Sequence, residues 1–489
     1  RRYSHGALAP HVVGRCKLLS REMWDEIRAE GRDYGVRMAV SEIGRRYLLS
    51  DSIGAAGIER AYEDLLRGTR GYREKQLIFH TLRVERQWTT TPPRPGADVY
   101  LALKADYQAA ANEALKWAAE ESDLAFTKGA LVILDVRTGA ILAAATYPSY
   151  DRERLSEDYY RRLPAEDNRR PLSERRSPLT FSPTGELLPI GEDYYRRLLD
   201  ADRVQPWSAR RSPLMFRPTM DELPTGSVYK LITAIAGLEE RKITPQTSLH
   251  CARGARFHGR WFRCTSTHGN IQLVPAIEGS CNAYFFQTAE RLSGDDLAGW
   301  GEKFGMAVAT GVEIAESDGQ MPSRTTRRSR FGRMNLAIGQ GDLKCTPLQV
   351  ARMCAAIANG GMLVRPHFFN YAVDAEGTVV DFQAKPQPTG VRPETLRVVR
   401  EGMRRVVVGE RGTARRAGLG LFRAAGKTGT AELGRGMSNH CWFAGFAPFE
   451  DPEIAFAVVS ERVPGGHGGS HAAPILARAL ATIWPDGMP

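Results

Sequence analysis

Four apolar stretches, two in the first third of the chain and two near its end, constrain the fold more than any other feature. Ala130 to Asp135 and Ala140 to Ala145 flank Thr138-Gly139, a spacing that predicts two buried strands joined by a short turn. Strand-like runs return only at Cys441 to Phe446 and Ile454 to Val459, and helical patterns such as Tyr107 to Glu120 lie between. A sheet assembled from both ends of a chain, with helices packed on it, is an α+β domain.

A smaller mixed module precedes that domain. Its helical periodicity falls in Ser20 to Glu30 and in Ile58 to Leu66, where Ile58, Tyr62, Leu65 and Leu66 share a face. Thr89-Thr90-Thr91-Pro92-Pro93-Arg94-Pro95-Gly96 can form neither helix nor central strand, because prolines lack N–H donors and push preceding residues into extended geometry. The expected division is therefore 1–96 and 97–489. Within the second part, Glu157 to Leu163 recurs as Glu192 to Leu198 and Arg175 to Leu179 as Arg210 to Leu214. Two copies are too few for a solenoid, so 157–226 is expected to be a tandem-duplicated surface loop.

The chain is 42% apolar and 25% charged, which excludes disordered, collagen-like and coiled-coil classes, and it has no apolar run of membrane-spanning length. A net charge of +11 suits an anionic partner, but the excess reads as diffuse, with no basic block interleaved with aromatics, so nucleic acid is not an expected partner. Seven scattered cysteines are too few for a disulfide-framed scaffold.

Three short motifs carry the chemistry. Ser227-Val-Tyr-Lys230 opens an amphipathic helix, and its three-residue step puts a hydroxyl and an amine on one face within hydrogen-bond reach, a nucleophile beside a base. Such a step recurs by chance in a chain this long. Ser280-Cys281-Asn282 precedes a second helical stretch, and in extended backbone Ser280 and Asn282 project into one cleft while Cys281 faces away. Lys427-Thr428-Gly429-Thr430 leads into the final strands: Lys427 supplies charge, and Gly429 is expected to let substrate backbone approach. Ser-x-x-Lys, Ser-x-Asn and Lys-Thr-Gly in this order form the signature of serine acyl transferases acting on penicillin-like and D-alanyl substrates.

On these motifs the sequence resembles the class B penicillin-binding proteins, monofunctional peptidoglycan D,D-transpeptidases. The resemblance extends over nearly the whole chain: Gly54 to Gly68 looks like the non-catalytic N-terminal module. Gly129 to Tyr150 is similar to the opening sheet of the transpeptidase domain, and Ala337 to Gly341 with Thr346 to Gln349 to a segment between the second and third motifs. Cys281 inside the second motif favours the elongation branch over the division branch. The resemblance implies a Ser227 acyl-enzyme with Lys230 as base, its pKa lowered by burial and by the charge of Lys427. Ser280 would be a proton relay, Asn282 a substrate ligand, and Thr428, Gly429 and Thr430 with Lys427 a carboxylate and backbone site. No cofactor is implied for catalysis. It also implies stem peptides as substrates, β-lactams as acylating inhibitors, a RodA-like glycosyltransferase and elongation-complex proteins as partners, and a periplasmic catalytic domain on a single-pass inner-membrane anchor that this chain does not include. A penicillin-hydrolysing or penicillin-sensing enzyme, a D,D-carboxypeptidase and a non-catalytic regulator of a glycosyltransferase are the competing readings.

Cys251, Cys264, His268 and Cys281 supply three sulfurs and an imidazole, the ligand set of a closed tetrahedral zinc site. A metal behind Cys281 would hold Ser280 and Asn282 in place. A Cys251–Cys264 disulfide and inert thiols are the alternatives.

Overall fold

The computed structural model describes residues 8–19, 21, 25, 47, 51–78, 83–150, 215–257, 259–434 and 438–487. Of the helix expected at Ser20 to Glu30 only residues 21 and 25 are described, and the duplicated segment up to 214 lies outside the described residues.

In the N-terminal part, β1 (Arg15–Leu18) pairs antiparallel with β2 (Ser52–Ala56), and β3 (Tyr72–Ile78) with β4 (Arg83–Thr91). The amphipathic run at Ile58 to Leu66 forms two short helices, Gly57–Ala61 and Glu63–Leu66, broken where Tyr62 leaves helical geometry at φ −120°. Tyr62 instead stacks on Phe369, 4.5 Å between ring centroids, so its ring joins the N-terminal part to the rest of the molecule. Strand β4 runs through Thr89 to Thr91 and stops at the prolines.

Next come β5 (Asp98–Leu101), the helix Ala105–Glu120, β6 (Gly129–Asp135) and β7 (Ile141–Tyr147). The first six residues of both β6 and β7 are buried, with no polar alternation, because helices cover both faces of the sheet. Ala105–Glu120 and the C-terminal helix Ala473–Ile483 pack together on the β7 side, and Pro347–Ala358 packs on the other face. The latter helix starts where the sequence dictates: Thr346 and Gln349 exchange reciprocal capping bonds and Pro347 occupies the first turn.

The middle of the chain holds the helix Lys230–Glu239 and four short strands, β8 (Leu249–Cys251), β9 (Gly254–Phe257), β10 (Arg260–Arg263) and β11 (Gly269–Ile271). β9 and β10 form a hairpin, bracketed by the β8–β11 pair. Further on, β12 (Met362–Leu363) pairs with β15 (Gln387–Pro388), while β13 (Phe369–Val373) lies between β14 (Val379–Asp381) and β5. β5 therefore belongs to a small separate sheet.

The main sheet is completed by β16 (Ala425–Glu432), β17 (Asn439–Ala447) and β18 (Ile454–Val463), in the order β16-β17-β18-β6-β7, all antiparallel. Both ends of the chain thus build one sheet, and β16 forms its edge.

Candidate active site

The Ser227–Lys230 step is one turn of 3-10 helix, Gly226–Tyr229, feeding directly into the helix Lys230–Glu239, and the Lys230 N–H donates back to the Ser227 carbonyl. Tight packing against β16 holds this turn. A Cβ on Gly226, at φ +54°, would lie 2.5 Å from the Thr430 carbonyl oxygen, and one on Gly429 would lie 2.5 Å from the Thr225 carbonyl oxygen and 2.9 Å from Val228. The space at Gly429 therefore admits the serine turn, a role the sequence did not suggest. Two further bonds fix the approach: Trp442 Nε1 donates to the Pro224 carbonyl (3.0 Å) and the Gly226 N–H to the Gly339 carbonyl (2.9 Å).

Lys230 is fully buried, and its amine donates to the Ser280 carbonyl (2.8 Å), the Ser280 hydroxyl (3.1 Å) and Asn282 Oδ1 (2.6 Å). Ser280 and Asn282 do converge while Cys281 points into the protein, but the backbone is not extended. Ser280 sits at φ +53°, a left-handed conformation rare for a residue with a Cβ, and Asn282 is the first residue of a helix running to Ala289. The half-buried Ser227 hydroxyl makes no hydrogen bond among the described residues, so the expected Ser227–Lys230 bond is not formed. In unliganded enzymes such bonds are commonly long and close on substrate.

Lys427 is also fully buried on β16, donating to the Thr428 carbonyl (3.1 Å), and the Thr428 hydroxyl meets that of Thr413 at 2.7 Å. Burial pushes the Lys230 amine down to about 8, against the opposing pull of Cys264 and Cys281. Lys427 is held well below the ordinary lysine range by burial and by the charge of Lys230. This reverses the expected influence. The amine with the higher pKa is still charged when the other titrates, so Lys230 depresses Lys427 and a neutral Lys427 leaves Lys230 unaffected.

Behind Cys281, the ligand atoms of Cys251, Cys264, His268 and Cys281 all lie within 4.8 Å of one another. His268 Nδ1 is 3.4 Å from Cys251 Sγ and 3.5 Å from Cys264 Sγ, and Cys264 Sγ is 3.9 Å from Cys281 Sγ. Tetrahedral zinc, with bonds of about 2.3 Å to sulfur and about 2.0 Å to nitrogen, spaces its ligands at about 3.8 Å for S–S and about 3.5 Å for S–N, so the four residues fit the ion. Cys251 and Cys264 are both free thiols rather than a disulfide. The Asn282 N–H donates to Cys264 Sγ (3.2 Å), tying the cluster to the cleft through one residue.

Several contributors escaped the sequence reading. Thr413 and Trp442 carry no local motif, and their partners Thr428 and Pro224 are far away in sequence. The basic excess is not diffuse either: residues 241–277 hold six Lys and Arg and no Asp or Glu, with Arg253, Arg256, Arg260 and Arg263 interleaved with Phe257, Trp261 and Phe262. That stretch was visible in the sequence.

A family model for the penicillin binding protein transpeptidase domain matches residues 129–481, and one for the penicillin-binding protein dimerisation domain matches residues 1–101. Peptidoglycan D,D-transpeptidase MrdA of Haemophilus influenzae is 27% identical, covering 98% of this chain and 68% of that protein. The protein of the same name from Acinetobacter baumannii is 29% identical over 99% of this chain and 66% of its own length. Among solved structures, Pseudomonas aeruginosa PBP2 in complex with WCK 5153 superposes with a TM-score of 0.72 at 28% identity, covering 99% of this chain and 91% of that one. PBP2 of Helicobacter pylori in complex with MreC has a TM-score of 0.74 at 24% identity, covering 99% of this chain and 78% of that one. The match of the transpeptidase model to most of the sequence, on a fold shared with these structures, shows that the chain belongs to the penicillin-binding protein transpeptidase family.

Proposed function

We propose that this protein is a peptidoglycan D,D-transpeptidase of cell-wall elongation, working through an acyl-enzyme on Ser227 and acylated by β-lactams. The observation that carries the reading is the convergence of three distant segments: Lys230, one turn from Ser227, donates to Ser280 and Asn282, and β16, the strand that carries Lys427, packs directly against the serine turn.

The geometry supports a division of labour. Lys230, near 8, takes the Ser227 proton as the oxygen attacks the D-alanyl-D-alanine carbonyl. By resemblance to the family, backbone N–H groups of Ser227 and Thr430 would stabilise the oxyanion. Ser280, bonded to the same amine, passes the proton to the departing D-alanine, and Asn282 orients the substrate amide. The donor's terminal carboxylate lies against Thr428, Thr430 and Lys427, whose charged form an adjacent anion favours. Attack by a neighbouring stem peptide's amine forms the crosslinking amide, breaks the ester and returns a proton to Ser227 Oγ.

Cys251, Cys264, His268 and Cys281 would hold a structural zinc. With all four positions taken by protein it supplies rigidity to the Ser280–Asn282 turn rather than Lewis-acid chemistry. Residues 1–96 act as a non-catalytic module that docks a RodA-like polymerase and elongation proteins, and the catalytic part faces the periplasm from an inner-membrane anchor. Supporting this reading, the chain is similar to a structure of a peptidoglycan synthase complex that coordinates polymerization and crosslinking and, in fold, to Helicobacter pylori PBP2 in complex with MreC.

Intact-mass spectrometry after incubation with penicillin tests the reading. One covalent adduct on Ser227 is expected, lost in Ser227→Ala and persisting after free drug is removed. An unmodified protein refutes it, and an adduct released within seconds makes the protein a penicillin hydrolase.

A further inference from the structure

The β9–β10 hairpin has two unlike faces. Phe257 and Phe262 turn inward, meeting edge to face at 5.6 Å, and Phe262 packs on Phe286 of the Asn282 helix at 5.2 Å. The opposite face carries Trp261, paired across the hairpin with Arg256, and Arg263 two residues further along. All three are exposed, Trp261 to 46%. A Cβ on Gly254 would lie 2.8 Å from the indole, so the ring rests flat over this glycine. None of these arginines pairs with a carboxylate among the described residues, and none is available locally, since residues 241–277 contain no acid.

The face is fastened to the catalytic centre. Asn282 Nδ2 donates to the Arg263 carbonyl at 3.3 Å while Asn282 Oδ1 accepts from Lys230. The Cys264 N–H donates to the Arg253 carbonyl at 2.9 Å, closing the hairpin base between Cys251 and Cys264. The cleft thus has two walls, β16 with its lysine and threonines, and the Asn282–hairpin side. An acceptor stem peptide ends in the same D-alanyl carboxylate as the donor and must reach the acyl carbon while the donor occupies β16. Two guanidinium groups beside an indole suit a carboxylate-bearing, partly apolar chain.

We propose that the outer face of the β9–β10 hairpin, formed by Arg256, Trp261 and Arg263, is the docking site for the carboxylate-bearing acceptor strand of peptidoglycan. The inference rests on the Ser227 reading. Delivered there, the acceptor amine forms its amide bond with the acyl carbon, the Ser227 ester bond breaks and the amine proton returns to Ser227 Oγ.

The test compares Arg256→Glu, Trp261→Ala and the pair with the unaltered protein, measuring penicillin acylation rate alongside crosslinked and hydrolysed products from soluble uncrosslinked peptidoglycan strands. The expected result is an acylation rate within about twofold of the unaltered protein and a fall of about tenfold in crosslinked product in the pair, the loss of a moderate binding hot spot. Hydrolysed product should rise, and Arg256→Lys should restore most of the crosslinking. Unchanged crosslinking overturns the proposal, as does a crosslinking loss matched by an equal acylation loss. Arg256-dependent binding to phosphatidylglycerol vesicles with crosslinking intact assigns the face to lipid and overturns it too. If penicillin fails to acylate the unaltered protein, the Ser227 reading falls first and the docking site with it.

Discussion

At the scale of single residues, the two buried lysines govern the chemistry. A general base must be neutral to accept a proton, and Lys230 loses its own near pH 8. Acylation by a β-lactam is therefore expected to rise about tenfold per unit from pH 6 to 7 and level off above 8, which a stopped-flow pH profile checks. Lys230→Ala should remove acylation by at least about 100-fold, the usual contribution of a positioned base, with thermal stability changed far less. Because burial and the charge of Lys230 lower the Lys427 amine, binding of an anionic ligand beside it should draw a proton onto Lys427. Calorimetry in buffers of different ionisation enthalpy would then give different heats, whereas identical heats would mean that Lys427 is already charged.

At the scale of elements, function depends on how closely the serine turn fits β16. Gly429→Ala would drive a methyl group into the Thr225 carbonyl and displace the turn that carries Ser227. An acylation loss on the order of 100-fold is expected for a displacement near 1 Å, measured against a melting temperature that shows whether the fold survives. The cluster of Cys251, Cys264, His268 and Cys281 bears on a neighbouring element. Cys264→Ser should lower both melting temperature and acylation rate, because its Sγ accepts the Asn282 N–H and is one of the four grouped Cys and His ligand atoms. This scale also separates what the sequence disclosed from what it concealed. The hairpin β6–β7 was legible because both strands are uninterrupted apolar runs around a Gly turn, and the Pro347 helix start because its cap is local. The split at Tyr62 was not, since a stacking partner at Phe369 decides it. Nor was the role of Gly429, whose neighbour Thr225 lies in another segment. Ser280 misled for a different reason: its left-handed backbone reaches the expected side-chain placement by a route that alternation does not describe.

At the scale of the whole molecule, a buried ion cluster links the sheet to the segment preceding the active serine. Glu461 on β18 accepts from Arg217 Nε at 3.0 Å and from Lys128 Nζ at 2.9 Å, all three nearly inaccessible to solvent. Removing one member of such a group strands charge in the interior, so Glu461→Gln should destabilise the protein by about 3 kcal/mol, read as a lower denaturation midpoint. Against the upward push of burial, Asp221, Arg217 and Lys128 hold the Glu461 carboxyl down at about 2. Its contribution is therefore present above the unfolded glutamate value near 4.3 and is lost as pH falls toward 2. The order of the main sheet has a consequence for how the protein is made. β6 lies between β7, its immediate successor, and β18, which follows more than 300 residues later. A growing chain must therefore carry a greasy, half-matched hairpin, exposed to holdases and proteases, until β18 arrives. A nonsense mutation shortly before Ile454 would forfeit the entire platform on which the pocket stands.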